Sequence, residues 1–178
     1  MLKLVSGRPE NTEIRLEKEV RVYDFLDKLN IKYDRVDHEV ADTMEACKEI
    51  DEVLDCTICK NLFLCNAQKT KFYLLMIDGD KKFKTKDISG QIGSSRLSFA
   101  PPEFMEKYLN ITPGSVSVMG LMNDAEGVVK LLMDEDVTKG QYIGCHPCIN
   151  TSSIKIKTED MINIIIPEMK HEITYVKL

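Results

Sequence analysis

Between residues 17 and 30 the apolar positions Val20, Tyr23, Leu26 and Leu29 recur every three residues, which predicts one apolar helix stripe with Asn30 at its end. Residues 31–36 alternate as a strand does, His38 opens a polar turn and reads as structural, and Thr43 followed by Ala46 starts a short second helix. Two apolar runs, 57–66 and 71–78, flank a polar Ala-Gln-Lys-Thr turn and predict an antiparallel hairpin. Residues 87–92 read as a helical turn stopped by Gly93, 97–100 as a strand, and 101–110 as a helix with proline early and Asn110 last. The Pro113-Gly114 turn then leads into an alternating strand over 115–120. Further strands are predicted at 128–133, 141–145, 153–157 and 171–176, with a polar link at 134–140 and a helix at 158–165. No repeat is visible, and the regular strand-helix alternation of a parallel sheet is missing. The expected class is α+β, with a largely antiparallel or mixed, curved sheet flanked by short helices.

Composition agrees with this reading. The chain has 178 residues, 43% hydrophobic and 30% charged, enough for one domain with a full core; the longest apolar runs are far too short to cross a bilayer. A single domain over residues 1–178 is expected, with 1–16 a possible N-terminal extension. The first fifteen residues hold no apolar block with a cleavage site, so the expectation is a cytoplasmic protein with its six cysteines reduced. The formal charge of -5 argues against broad attraction to nucleic acid, yet from Lys60 to Lys86 seven lysines face only two aspartates, a local excess that suits phosphate docking.

Three places depart from plain scaffold. In Gly144-Cys145-His146-Pro147-Cys148-Ile149-Asn150-Thr151-Ser152-Ser153 the proline keeps His146 out of helical geometry and holds its imidazole at a corner. Lys60 stands inside an otherwise apolar strand, where an ammonium group is rare unless a partner or ligand meets it. Gly114 sits in a turn just before a strand, where backbone amides can point at a ligand.

The common enzyme signatures are absent: no G-x-G-x-x-G, no P-loop, no G-x-S-x-G and no H-E-x-x-H. The pairs Cys56/Cys59 and Cys145/Cys148 have metal-like spacing, but residues three apart on a strand point to opposite faces, so a zinc site is poorly built. A redox Cys-His-Pro-Cys motif would need a following helix, and a strand follows.

The phrases Cys59-Lys60-Asn61-Leu62-Phe63-Leu64, Arg96-Leu97-Ser98-Phe99-Ala100, Pro113-Gly114-Ser115-Val116-Ser117, Leu132-Met133-Asp134-Glu135-Asp136 and the His146-Pro147 and Asn150-Thr151 pairs occur in an order that resembles the YbaK-like family, the editing domains of prolyl-tRNA synthetases and their free-standing deacylase relatives. The resemblance implies a mixed, barrel-like sheet, and a hydrolase that removes alanine from mischarged tRNA for proline. It implies that Lys60, Gly114 and His146 act in catalysis and that Ser115, Pro147, Asn150, Lys84 and Lys86 bind substrate. The expected partner is the acceptor end of tRNA; no cofactor, no metal and no membrane is called for, and the chain is expected as a monomer or weak dimer. A competing expectation is a non-catalytic module that holds the tRNA end or an amino acid, with cysteines binding metal.

Overall fold

The run Phe-Tyr-Leu-Leu-Met-Ile is apolar at every position, so both faces of the strand it forms must be covered. They are. Phe72, Leu74 and Met76 enter the main core, while Tyr73 and Leu75 enter a second apolar cluster on the opposite face with Ile88, Leu97 and Leu132. Burying each such side chain contributes about 1.5–3 kcal/mol.

The computed structural model describes residues 1–41 and 43–178. Its strands are β1 (Leu4–Ser6), β2 (Tyr33–Asp37), β3 (Lys60–Asn66), β4 (Phe72–Ile77), β5 (Leu97–Phe99), β6 (Val129–Asp134), β7 (Tyr142–Cys145), β8 (Ser152–Lys157) and β9 (Ile173–Val176). Between them lie α1 (Glu17–Lys28), α2 (Met44–Leu54), α3 (Thr85–Gln91) and α4 (Pro102–Leu109). Residues 158–168 form a continuous last helix whose middle, Met161–Ile165, is π-wound, so it runs past the expected end at 165.

The strands build two sheets. One has the order β5-β3-β4-β6-β9, with β3 antiparallel to β4 and β5 and the β4-β6 and β6-β9 pairs parallel. The other, β1-β2-β8-β7, is antiparallel throughout and takes in residues 4–6 of the expected extension. The mixed α+β class is therefore found. The barrel-like closure is not: among the described residues the strand orders leave both sheets open, with a parallel bridge between Ile58 and Gly144 joining them. There the Cys59 N–H donates to the Gly144 carbonyl at 2.9 Å. A Cβ on Gly79 would stand 2.5 Å from the Ile58 carbonyl oxygen, and one on Gly144 3.1 Å from the Ile58 Cα, so hydrogen at both positions lets the chain pass through this seam.

The hairpin of β3 and β4 forms as expected, its turn fixed by the Asn66 side chain, which accepts from the N–H groups of Thr70 and Lys71 at 2.8 and 3.0 Å. Two expectations fail nearby. Residues 57–59 precede β3, so Lys60 opens the strand at an exposed position and is not enclosed in it. The expected strand over 115–120 is instead a 3₁₀ segment, Val118–Asn123, begun by the Ser117 hydroxyl accepting the Met119 N–H at 3.2 Å. Val118, Met119, Gly120 and Leu121 are all buried, and that burial without alternation is what makes a 3₁₀ turn against the core suit them better than a half-exposed strand.

Candidate active site

A cleft of about 660 Å³ opens where the two sheets meet, between α2, the start of β3, the end of β5 and the Pro113-Gly114 turn. His38, Lys60, Asn61, Gly114, His146 and Asn150 all contribute to its wall. Three expected residues, Lys60, Gly114 and His146, are thus brought together from distant parts of the chain, and Asn150 joins them.

Proline after His146 keeps the loop extended, and the ring is then held by β8. Its Nδ1 lies 2.8 Å from the Ser152 carbonyl oxygen. A carbonyl only accepts, so Nδ1 carries the hydrogen and Nε2 keeps its lone pair. Burial lowers the pKa of His146; the Ser152 bond works against that shift and the nearby His38 adds to it. Near neutral pH the ring is therefore uncharged and can accept a proton. The His146 carbonyl is itself fixed by the Ser117 hydroxyl at 2.5 Å.

His38, expected to be structural, lies in the same wall with its ring centre 6.2 Å from that of His146. It follows β2, and the β2-β8 register places Val36 opposite Ser153. Only that long-range pairing brings the two histidines together, and no local signal carries it.

The turn at Gly114 is closed by the Ser115 N–H donating to the Thr112 carbonyl at 3.1 Å, with Gly114 at φ +88°. That conformation favours glycine. The Ser115 amide is therefore occupied, whereas among the described residues the Gly114 and Val116 N–H groups have no protein acceptor. Ser115 is buried beneath the turn and Pro147 behind the histidine corner; neither contributes to the cleft wall.

Among the described residues the Lys60 ammonium reaches only a backbone oxygen, that of Lys81 at 3.3 Å. Lys81 itself is neutralised, at 2.7 Å from Asp134 and 2.6 Å from Asp136. Lys84 and Lys86 are exposed around the start of α3, outside the cleft wall. The local lysine excess thus divides into one paired and several solvated cations.

Two features of the wall had no sequence signal. The Asn61 carboxamide donates to the Cys59 carbonyl at 3.1 Å, which fixes its orientation and leaves Oδ1 as a buried acceptor with no partner among the described residues. Phe99 and Met44, 64% and 69% exposed, both line the cleft and offer it apolar surface.

The cysteines play no comparable part. Burial pushes the Cys59 and Cys148 thiols up to about 12 and the Cys56 thiol to about 11, and it drives Cys145 still higher. Protonated thiols are poor nucleophiles and poor metal ligands. Among the described residues no three His, Cys, Asp or Glu side chains are grouped to hold a metal ion.

A family model described as an aminoacyl-tRNA editing domain matches residues 38–164, a span that begins at His38 and includes every residue of the cleft wall named above. The chain is 36% identical over 141 residues to the prolyl-tRNA editing protein ProX of Acetoanaerobium sticklandii, covering 79% of this chain and 85% of that protein. It is 27% identical over 154 residues to prolyl-tRNA synthetase associated domain-containing protein 1 of Danio rerio, covering 85% and 82%. A solved structure, provisionally assigned as a trans-editing enzyme for prolyl-tRNA synthetase, superposes with a TM-score of 0.65 at 14% identity, covering 92% of this chain and 99% of that one, and so shares the fold. With the open cleft, the paired histidines and the glycine turn falling inside the matched span, the chain belongs to the family of aminoacyl-tRNA editing domains.

Proposed function

We propose that the protein is a free-standing editing hydrolase that removes alanine from mischarged tRNA for proline, acting in the cytoplasm as one domain over residues 1–178. Membership of the editing family makes the reaction hydrolysis of an aminoacyl-tRNA ester. The likeness to a prolyl-tRNA editing protein supports tRNA for proline as the carrier. The observation that carries the chemistry is the meeting of His146, with an unprotonated Nε2, and the two unoccupied amides at Gly114 and Val116 in one cleft.

In this reading a water, oriented by His146, attacks the ester carbonyl carbon. The Gly114 and Val116 N–H groups meet the developing oxyanion, and one such donor is worth about a hundredfold or more in rate. The proton taken up at Nε2 passes to the ribose oxygen as the ester C–O bond breaks, aided by the vicinal ribose hydroxyl. Alanine and an uncharged tRNA leave. Lys60 anchors a terminal phosphate or ribose, Phe99 and Met44 cover the terminal base, and the Asn61 acceptor suits the substrate ammonium. A synthetase that binds proline rejects the smaller alanine by only about 1–3 kcal/mol per missing methylene, and a second pocket that admits alanine but refuses proline restores the difference.

Single-turnover deacylation of alanyl-tRNA for proline, with prolyl-tRNA as the paired control, tests this. Rapid loss of alanine with proline spared is the expected result. Retained tRNA binding without loss of either ester would replace the hydrolase with a binding module.

A further inference from the structure

Beside the base of the proposed hydrolysis stands a second imidazole that the reaction scheme leaves unused. His38 Nδ1 lies 2.7 Å from the Glu39 carbonyl oxygen, so it carries the ring hydrogen and leaves a lone pair on Nε2. That Nε2 is 2.8 Å from the Ser153 hydroxyl, which must therefore donate to it. The same hydroxyl oxygen lies 3.4 Å from His146 Nδ1, turning its own lone pairs toward the His146 N–H. The chain of donors runs one way, from His146 through Ser153 to His38. Ser153 is fully buried on β8, and His38 is anchored beside it by its N–H donating to the Thr151 carbonyl at 3.0 Å, so the geometry is held by the β2-β8 pairing rather than by a mobile loop.

We propose that Ser153 couples the two histidines, and that His38 is a positioning residue that sets how firmly His146 holds its proton during deacylation. This rests on the hydrolase reading for its functional meaning, but the coupling itself is a property of the folded chain.

The consequence for the reaction follows from the direction of the donors. When His146 takes the proton of the attacking water at Nε2, its ring becomes an imidazolium, and the Ser153 oxygen facing Nδ1 stabilises that charge while His38 is neutral. When His38 is protonated as well, its Nε2 must donate, the hydroxyl hydrogen has to turn away, and two like charges stand with their ring centres 6.2 Å apart. A charge on His38 therefore opposes one on His146. Other charged groups of the surrounding elements are engaged. On β2, Asp37 pairs with Arg15 and Arg35; on β8, Lys155 faces Asp34 and the Tyr142 ring; the thiols of Cys145 and Cys148 flanking His146 stay protonated. Lys48 and Asp51 of α2, which packs on β2 and β8, line the same cleft, as do Lys60 and Asp80.

The test uses the full chain, whose three histidines make imidazole nitrogen NMR tractable. In the wild-type protein the neutral rings of His38 and His146 should both carry the proton on Nδ1, the tautomer that is less common in free histidine. In His38→Gln the midpoint of the His146 titration should rise, its proton affinity growing about threefold from relief of the like-charge contact alone. The acid limb of the single-turnover deacylation profile should move to higher pH by the same factor, with KM unchanged. In Ser153→Ala the His146 midpoint should fall, and kcat with it, again without a change in KM. His38 is partly exposed, so the glutamine variant remains readable if the buried alanine variant does not fold. An unmoved His146 midpoint in His38→Gln, or Nε2-protonated neutral rings in the wild type, would overturn the coupling. A protein that shows the expected midpoint shift but spares alanyl-tRNA would keep the coupling and overturn the substrate instead.

Discussion

The two sides of the cleft are built on opposite principles. On the side of β2 and β8, nearly every polar atom is spoken for: His38, Ser153, Ser152 and His146 are linked in one hydrogen-bonded set, and Ser117 pins the His146 carbonyl. On the side of β3 and β5, polar and apolar groups alike lack partners among the described residues. Lys60 touches one backbone oxygen, Asn61 keeps an unpaired acceptor, and Phe99 stands out into solvent. Groups that must hold a reacting water gain from being preorganised, whereas groups that must hold a substrate are useful only if their interactions await it. On the proposed reading, the division separates the chemistry from the docking.

That contrast predicts which kinetic constant each side controls. The largest effect is expected from His146→Ala, a loss of about a hundredfold in single-turnover deacylation rate with tRNA affinity and fold retained. A wild-type rate would remove the preorganised side from the chemistry. On the other side, Lys60→Ala should slow deacylation at subsaturating tRNA by about tenfold, as expected for a lost bond to a charged group. Phe99→Ala should weaken binding by a similar factor of about ten through lost stacking on a base. Both should leave the rate at saturation nearly unchanged, and a fall in that rate instead would erase the contrast. The smallest effect belongs to Lys84→Ala and Lys86→Ala, each expected to weaken tRNA binding a few-fold and to lower the slope of log affinity against log salt by about one. Equal slopes in wild type and variants would place the acceptor stem elsewhere.

Much of this architecture was legible in the chain because apolar period and turn chemistry agree. The α1 stripe, the β3-β4 hairpin closed by Asn66, and α4 between Pro101 and the left-handed Asn110 all follow local rules. The segment after Gly114 misled because Val116 and Val118 alternate with serines as a strand would, while the physical environment is a buried corner in which a serine cap decides the winding. The site divides the same way. Lys60, Gly114 and His146 were visible as local anomalies, a cation, a turn glycine and a histidine before proline. His38 was not, since its role depends on strand register across more than a hundred residues, and neither the exposure of Phe99 nor the unpaired oxygen of Asn61 has any signature in one dimension. Charge counting also misjudged Lys81, whose two aspartate partners come from the far end of β6 and the turn after it.

Ile58, threaded between Gly79 and Gly144, gives the protein something like the pin of a clasp. One jaw carries the histidines and the other carries Lys60, and the distance between them is set at a point that touches neither. A methyl group added at Gly79 would force this seam to shift and one at Gly144 would press on it, so the gauge of the cleft is open to tuning by residues with no chemistry of their own.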